Sequence, residues 1–170
     1  MTAGFQLRAA RAQDIESLAG FIFEHGPNPW NFLPEAEVRE HLGGIAEGRV
    51  QAHLAEEAGR LAGFVTFHRC EAFAEDQDVT RGDLPRAYIC EAVVHRDLAG
   101  RGLGSRLLVA VVERLAAQGV GDVFIEWHEE NAGSAGMMRK AGFREVRTFD
   151  DPERRATGSR RTTLCHLRVG

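Results

Sequence analysis

The chain has 170 residues, of which 44% are hydrophobic and 27% charged; this is enough for one domain, over residues 1–170, that buries roughly two thirds of its unfolded surface. A formal net charge of −4 argues against a nucleic-acid-binding protein, which would present a basic excess on one face. The longest apolar run, 107–112, is too short to cross a bilayer, and the N-terminus lacks a signal-peptide pattern. We expect a soluble cytoplasmic protein that binds neither nucleic acid nor membrane.

Cysteine and histidine usage gives no sign of a disulfide framework or a metal site. Cys70, Cys90 and Cys165 are widely spaced and form no Cys-x-x-Cys pair, which is typical of reduced thiols in a cytoplasmic protein. The seven histidines are scattered without the spacing of metal ligands. We therefore expect no bound metal.

The first quarter of the chain predicts a strand and two helices. A strand is expected at 5–8, followed by a helix to about Glu24 whose apolar residues recur at helical spacing. Prolines then break the regularity, and Pro34 opens a second helix. Trp30 and Phe32 fall in the loop between the helices. They either close the helix pair by packing or form a wall of a substrate pocket.

A hairpin and a long connection come next. Residues 50–55 and 61–67 alternate as two strands around a glycine-containing turn. Residues 69–86 form a long acidic connection, which we interpret first as a solvated face and second as a substrate lid. A further strand follows at 88–94.

The most informative stretch is AVVHRDLAGRGLGSRLL, at 92–108, which leads from that strand through a glycine-rich turn into a helix. The amides of 102–105 are free to converge at the helix N-terminus, where unpaired donors and the helix dipole favour an anion such as a diphosphate. Glycines at 100, 102 and 104 keep side chains out of the way. The spacing matches neither a P-loop nor a dinucleotide fingerprint.

The remainder of the chain predicts two helices and three strands. Apolar residues at helical spacing follow the glycine turn, a strand is expected at 123–127, and a helix over 131–141 ends at Gly142. Strands at 145–149 and 161–168 complete the pattern. The fold class is therefore α+β, with a central mixed, mostly antiparallel sheet of about six to seven strands flanked by about four helices.

Two segments carry a family resemblance. Val94-His95-Arg96-Asp97-Leu98-Ala99-Gly100-Arg101-Gly102-Leu103-Gly104 is similar to the acyl-CoA pyrophosphate loop of the GNAT superfamily of N-acetyltransferases, whose usual form is Arg/Gln-x-x-Gly-x-Gly/Ala. The segment from Asn131 to Phe143 resembles the family's Asn-x-x-Ala/Ser-x-x-Leu-Tyr-x-Lys-x-Gly-Phe. The resemblance implies a GNAT-like domain over the whole chain, in which the strand ending at Val94 and the strand around Ile125 splay apart to admit the pantetheine arm.

The resemblance also implies the cofactor, acetyl-CoA as acyl donor, and the residues that bind it. They lie at the end of the strand, in the glycine turn and at the start of the later helix: Ala92, Val93, Val94, Ala99, Gly100, Arg101, Gly102, Leu103, Gly104, Ser105, Asn131 and Ser134. The chain departs from the family pattern at two positions. Ala99 replaces the usual Arg or Gln, and Met138 replaces a Tyr that often protonates the departing thiolate.

Acyl transfer to an amine requires a base, because an alkyl ammonium with a pKa near 10.4 is only about one part in 10³ neutral at pH 7. Glu91 is our catalytic candidate, since it lies on the strand that leads into the glycine turn. Strand alternation places it opposite Tyr88, Cys90 and Ala92 unless a bulge intervenes. Glu126 and His128 are the alternative bases and, with Trp30 and Phe32, the candidate substrate contacts.

Two functions from different classes stay open. The first is an N-acetyltransferase that acts on a primary amine of a small molecule or a peptide. The second, suggested by Ala99 and Met138, is an acyl-CoA-binding regulatory module with little or no turnover. We favour the enzyme, because its rate would depend mostly on positioning and electrostatics rather than on one acid. The sequence leaves open whether the chain forms a homodimer.

Overall fold

The computed structural model describes residues 4–31, 33–77, 81–82 and 84–169. Within these residues, four α-helices are present: α1 (Ile15–His25), α2 (Glu35–Glu47), α3 (Leu103–Ala117) and α4 (Ala132–Lys140). Seven strands occur in the same part of the chain: β1 (Phe5–Ala9), β2 (Gln51–Glu57), β3 (Arg60–Cys70), β4 (Arg86–Val94), β5 (Asp122–His128), β6 (Arg144–Asp150) and β7 (Arg161–Arg168).

The strands form one mixed sheet in the order β1-β2-β3-β4-β5-β7-β6. Every neighbouring pair is antiparallel except β4 and β5, which are parallel and are joined by the crossover helix α3. The predicted fold class is therefore confirmed, including the strand number and the four flanking helices.

The helices cover the two faces of the sheet and create two apolar clusters. On one face, α1 and α2 pack their buried residues, Leu18, Ile22 and Leu42 among them, against Phe64 and Val93. On the other face, the sheet packs against α3 and α4 through a larger cluster that includes Leu107, Val111, Phe67, Ile125 and Met138. Burial of each large aliphatic side chain contributes about 1.5–3 kcal/mol. These two layers hold β4 and β5 in place at the centre of the sheet.

The described part of the long acidic connection is fixed to the sheet. Gln77 and Arg81 are buried, and Gln77 Nε2 donates to Asp122 Oδ2 at 2.6 Å, while Arg81 donates to the carbonyl of Gly121. Because Asp122 begins β5, these contacts lie at the opposite end of β5 from the residues that separate from β4. This part of the connection is therefore bound to the start of β5 and does not cover the separated ends of β4 and β5.

The central strands separate half-way along their length. β4 and β5 pair from Arg86 with Asp122 to Ile89 with Ile125, and the pairing then stops although both strands continue. A parallel sheet that loses its ladder in this way opens a gap lined by unpaired main chain and by side chains of both strands. This is the splay that the resemblance implied.

A β-bulge at Cys90 sets the direction of the residues beside the splay. In the pairing of β3 with β4, Thr66 is opposite Glu91 and Phe67 is opposite Ile89, so Cys90 is an extra residue. The amide of Glu91 donates instead to Thr66 Oγ1 at 3.1 Å. Beyond the bulge the alternation is reversed, and Glu91 lies on the same face as Tyr88. The uninterrupted alternation considered from sequence, with Glu91 opposite Tyr88, is therefore wrong.

Candidate active site at the splayed strands

Two connected cavities occupy the splay. The first, the glycine-loop cleft, has a volume of about 550 Å³ and lies between the residues 98–105, the end of β4 and the start of α4. The second, the carboxylate pocket, has a volume of about 360 Å³ and lies between β4, β5 and two surface loops. The residues that line both are Asn31, Ala92, Asn131, Ser134 and Met137. A ligand in one cavity can therefore reach the other.

The floor of the glycine-loop cleft is main chain. α3 starts directly after Gly102, whose φ is 77°, and Gly100 has a φ of 84°, so both adopt the left-handed conformation that glycine tolerates best. A Cβ added at either position would meet no atom within 4 Å. No acceptor within the described part of the chain is bonded to the amides of 102–105. The cleft thus offers unpaired donors and open space, which suits a diphosphate.

The predicted cofactor-binding residues all line this cleft except Arg101. The guanidinium of Arg101 points elsewhere: it pairs with Glu57 at 3.0 Å and lies over the ring of Phe5 at 4.8 Å. Asn131 caps α4, and its Oδ1 accepts from the amide of Ser134 at 3.1 Å. The structure therefore brings together the two segments that carried the resemblance.

Sequence reasoning missed one histidine in the cleft. His25, at the end of α1, lines the cleft and stacks on His95 with ring centroids 3.9 Å apart. Its Nδ1 accepts from the amide of Arg96 at 3.2 Å. Burial, and then the neighbouring His95, lower the pKa of His25. Only the packing of α1 beside the turn reveals this contact, because no local pattern around His25 distinguishes it.

Glu91 lines the carboxylate pocket, and the next residue, Ala92, lines both cavities. Burial raises the pKa of its carboxyl to about 7, against an opposing effect of the positive charge of Arg155. Near neutral pH such a group exists in both protonation states. It can therefore accept a proton and return it to solvent at that pH, as a general base must.

Glu126 lines the same pocket, and its carboxylate already has partners. Its Oε1 accepts from the Tyr88 hydroxyl at 2.9 Å and from Arg154 at 3.1 Å. Burial, and then the neighbouring carboxylate, raise the pKa of Tyr88, so that hydroxyl stays a donor. The Glu126 carboxylate is therefore already engaged by a guanidinium and a phenol, whereas the structure gives Glu91 no such partner among the described residues.

His128 has both ring nitrogens engaged. Nε2 donates to the carbonyl of Thr157 at 2.8 Å, because a carbonyl can only accept, and Nδ1 accepts from the amide of Glu130 at 3.1 Å. The side chain is 1% exposed. His128 is therefore placed as a neutral structural histidine that ties the loop 151–160 to β5.

Two surface loops wall the carboxylate pocket. Asn31 and Leu33 come from the α1–α2 connection, and Arg154 and Arg155 come from the β6–β7 loop. Trp30 lies beside Asn31, but it is not among the described residues that line the pocket. Phe32 lies outside the described residues.

The two loops also touch each other. The hydroxyl of Thr157 donates to the carbonyl of Pro29 and joins the β6–β7 loop to the α1–α2 connection. Neither this bridge nor the arginines of the β6–β7 loop followed from the sequence, because no periodicity indicates where a loop folds back.

Met138 is both a core residue and a pocket residue. It is 3% exposed, belongs to the apolar cluster under α4, and forms part of the pocket wall. Ser134 lies nearby on the boundary of the two cavities. The hydroxyl of Ser134 makes no hydrogen bond within the part of the chain that the structure describes.

The described residues contain neither a metal-ligand cluster nor a membrane-spanning helix. No cluster of three or more histidine, cysteine, aspartate or glutamate side chains in these residues is arranged to hold a metal ion. Likewise, no described helix combines the length and apolar character needed to cross a membrane.

Comparison with solved structures identifies similar folds. The chain aligns with an Arabidopsis thaliana NAA60 in complex with acetyl-CoA, with a TM-score of 0.79, 19% identity, and coverage of 98% of this chain and 99% of that one. It aligns with the ribosomal-protein-S18-alanine N-acetyltransferase from Escherichia coli, with a TM-score of 0.74, 17% identity, and coverage of 98% and 95%. An IAA acetyltransferase from Bacillus cereus gives a TM-score of 0.72, 14% identity, and coverage of 98% and 100%.

At the sequence level, no curated protein matches the chain. A family model does match: the acetyltransferase (GNAT) family model covers residues 13–143, which include both segments that surround the glycine-loop cleft. The protein therefore belongs to the GNAT family of acetyltransferases.

Proposed function

We propose that this chain is an N-acetyltransferase that moves an acetyl group from acetyl-CoA to a primary amine, with Glu91 as general base. The observation that carries the proposal is the position of Glu91: its carboxyl, with a pKa raised by burial to about 7, lines the pocket that adjoins the glycine-loop cleft, and the next residue, Ala92, lines both cavities. We also propose that the whole chain acts as a single cytoplasmic domain.

The residues of the glycine-loop cleft suit the cofactor. The amides of 102–105 would hold the diphosphate, and the edges of the separated strands at 92–94 would lie along the pantetheine arm. When bound, acetyl-CoA supplies an acetyl group activated as a thioester. The thioester end of acetyl-CoA would then lie near the residues that line both cavities, among them Asn131 and Ser134.

Glu91 would accept a proton from the acceptor amine. The acceptor enters as an ammonium ion, and the Glu91 carboxylate removes one proton, directly or through a water molecule, so that the nitrogen lone pair becomes available. The new C–N bond forms as the C–S bond breaks, the nitrogen releases its second proton to solvent to leave a neutral amide, and the proton on Glu91 also returns to solvent. Glu126 and His128 are less suited to this role, because Tyr88, Arg154 and the Thr157 carbonyl already occupy them.

The leaving thiolate would take its proton from solvent. The side chain at 138 is a methionine without an acidic proton, and the Tyr88 hydroxyl is donated to Glu126. A thiolate whose conjugate acid has a pKa near 8.5 is a tolerable leaving group without a positioned donor, at a cost of roughly tenfold to a hundredfold in rate. The missing tyrosine would therefore slow the reaction without stopping it.

The test combines binding with turnover. Calorimetric titration with acetyl-CoA, together with measurement of thiol release in the presence of a broad panel of amines, should show binding to the chain and amine-dependent release. Binding without release by any amine would favour the alternative of an acyl-CoA-binding regulatory module. Absence of both binding and release would contradict the proposal altogether.

A further inference from the structure

Two neighbouring arginines line the carboxylate pocket, and they differ in their partners. Arg154 forms ion pairs with Glu126 at 3.1 Å and with Asp151 at 2.7 Å. Arg155 forms no ion pair within 4.0 Å to any carboxylate of the described residues. The positive charge of Arg154 is compensated inside the protein, and that of Arg155 is not.

The guanidinium of Arg155 is nevertheless held in place. Its Nε donates to Thr162 Oγ1 at 2.8 Å, and the Thr162 hydroxyl donates in turn to Asp151 Oδ2 at 2.6 Å. The amide of Arg155 donates to the carbonyl of Asp151 at 2.9 Å. In the described part of the chain, its two terminal nitrogens make no hydrogen bond. The side chain thus offers a preorganised, unused fork of donors.

The charges in the pocket leave the guanidinium of Arg155 available to an anionic group of a ligand. Glu126 is neutralised by Arg154, and Glu91 has a pKa of about 7 and is protonated in part of the molecules at neutral pH. Burial, and then Arg154, lower the pKa of Arg155, against opposing effects of Asp151, Tyr88 and Glu126. A half-buried guanidinium without a direct ion pair would be stabilised by an anionic group on the ligand.

The shape of the pocket limits the size of the ligand. Its volume is about 360 Å³, at the low end of the range for small-molecule sites. The hydrogen bond from Thr157 to Pro29 joins the two loops that supply Asn31, Leu33, Arg154 and Arg155 to the pocket wall. A small molecule fits this volume with the two loops joined, and we expect it to be favoured over a polypeptide.

We propose that Arg155 determines acceptor specificity, and that the acceptor is a small amine that also carries a carboxylate, such as an amino acid. This inference rests on the proposed function. A carboxylate fits better than a phosphate, because it matches the single charge of Arg155 and the planar fork of its guanidinium. A phosphate dianion would in addition face the carboxylates of Glu91 and Glu126 in the same pocket.

The experiment compares matched acceptors. Amino acids are assayed for acetyl-CoA-dependent thiol release beside their own amides, the corresponding decarboxylated amines, the aminophosphonate analogues and short peptides. We expect kcat/KM to be at least about tenfold higher for each accepted amino acid than for its amide or amine, with most of the difference in KM, because the ion pair forms in the ground state and persists in the transition state.

Variants then assign the preference to the side chain. Arg155→Met should lower the ratio of kcat/KM for the amino acid to kcat/KM for its amide or amine by about tenfold or more, with most of the change in KM for the amino acid. Arg155→Lys should restore part of the preference, because it keeps the charge and loses the fork. Arg161→Met is the matched control, since Arg161 lies on the adjoining strand and pairs with Glu129 outside the pocket; it should keep the wild-type preference.

The outcomes separate this inference from the function on which it rests. Transfer to amines with no preference for the carboxylate, or faster transfer to peptides or aminophosphonates, would overturn the inference and leave the acetyltransferase proposal intact. Equal losses with acid, amide and amine in Arg155→Met would indicate a structural role for Arg155 and would also overturn it. Absence of transfer to every acceptor would overturn both.

Discussion

The glycine-loop cleft and the carboxylate pocket meet at the same splay and are built in opposite ways. The cleft is formed mostly by one continuous stretch, the end of β4 with the glycine turn, and by α4, with the end of α1 beside them. The pocket is formed by side chains from β4, β5, the α1–α2 connection and the β6–β7 loop, which are remote from one another in sequence. A main-chain site depends on glycines and on a helix start. A side-chain site depends on the charge and packing of each group, and it can change without any change of fold.

The largest effect should come from the carboxyl group of Glu91 in the carboxylate pocket. Glu91→Gln should lower kcat/KM by about 10²-fold or more at pH 7, because the amine then keeps its proton. The loss should shrink at high pH, where the amine with a pKa near 10.4 is increasingly neutral without help. The pH profile of the wild-type enzyme should rise through about pH 7 as Glu91 ionises, and the variant should lack that inflection.

Glu145→Gln is the matched control for this profile, since Glu145 is an exposed carboxylate on β6 outside both cavities. Near wild-type activity of Glu91→Gln at neutral pH would transfer the role of base to Glu126, His128 or a chain of water molecules.

The same substitution should have the opposite effect on stability. The pKa of Glu91 is raised in the folded state from 4.5 to about 7, so the folded protein binds the proton more tightly than the unfolded chain does. The wild type should therefore lose free energy of unfolding as the pH rises from about 4.5 to about 7, by about 3 kcal/mol at most. Glu91→Gln has no charge to bury and should be more stable than wild type above pH 7.

Denaturant titrations at pH 4.5, 6 and 8 measure this difference in the free energy of unfolding. The advantage of Glu91→Gln should be absent at the lowest pH and largest at the highest. A constant difference across the three values would mean that Glu91 is not the group that titrates.

The main-chain site can be tested with two glycines of the same conformation. Gly102 has a φ of 77° and Gly59, in the β2–β3 turn, has a φ of 78°, and a Cβ at either would meet no atom within 4 Å. The alanine variants should lose similar stability, of about 1 kcal/mol. Only Gly102→Ala should weaken acetyl-CoA binding, by about tenfold or more, because only its Cβ would enter the cleft.

Calorimetric titration of both variants makes this comparison. Arg101→Ala should change the affinity only modestly, since its guanidinium is turned toward Glu57. An equal loss of affinity in Gly59→Ala and Gly102→Ala would attribute the effect to backbone strain and not to the cleft.

The smallest effect should come from the apolar wall that the carboxylate pocket shares with the core. Met138→Leu conserves volume and polarity, so kcat should stay within a fewfold of wild type. Ser134→Ala tests whether the nearby hydroxyl acts as the acid. A loss in kcat of more than about 10²-fold in Ser134→Ala, at unchanged cofactor affinity, would identify a positioned acid and contradict solvent protonation.

The contrast between the two sites also explains which features followed from the sequence. The strand order, the glycine turn and the segment from Asn131 to Phe143 were predictable because each depends on spacing within a short stretch. The direction of Glu91 was not, since the bulge at Cys90 arises from the pairing of β4 with β3. Arg155 carried no signal at all, because its position depends on a hydrogen bond to Thr162 and on a loop that folds back over the pocket.

The bulge gives Cys90 a role that does not involve its sulfur. The bulge consists of one residue on β4 that has no partner on β3, and the identity of that residue is secondary. A chain with serine or alanine at 90 would keep the extra residue and therefore the bulge. A chain with residue 90 deleted would close the ladder evenly and leave Glu91 opposite Thr66 on the face of Tyr88, but β4 would lose the bend and extra twist that the bulge gives it beside the splay. Catalysis here would therefore tolerate a change of side chain at 90, whereas loss of the residue would alter the course of β4 and with it the place of the Glu91 carboxylate.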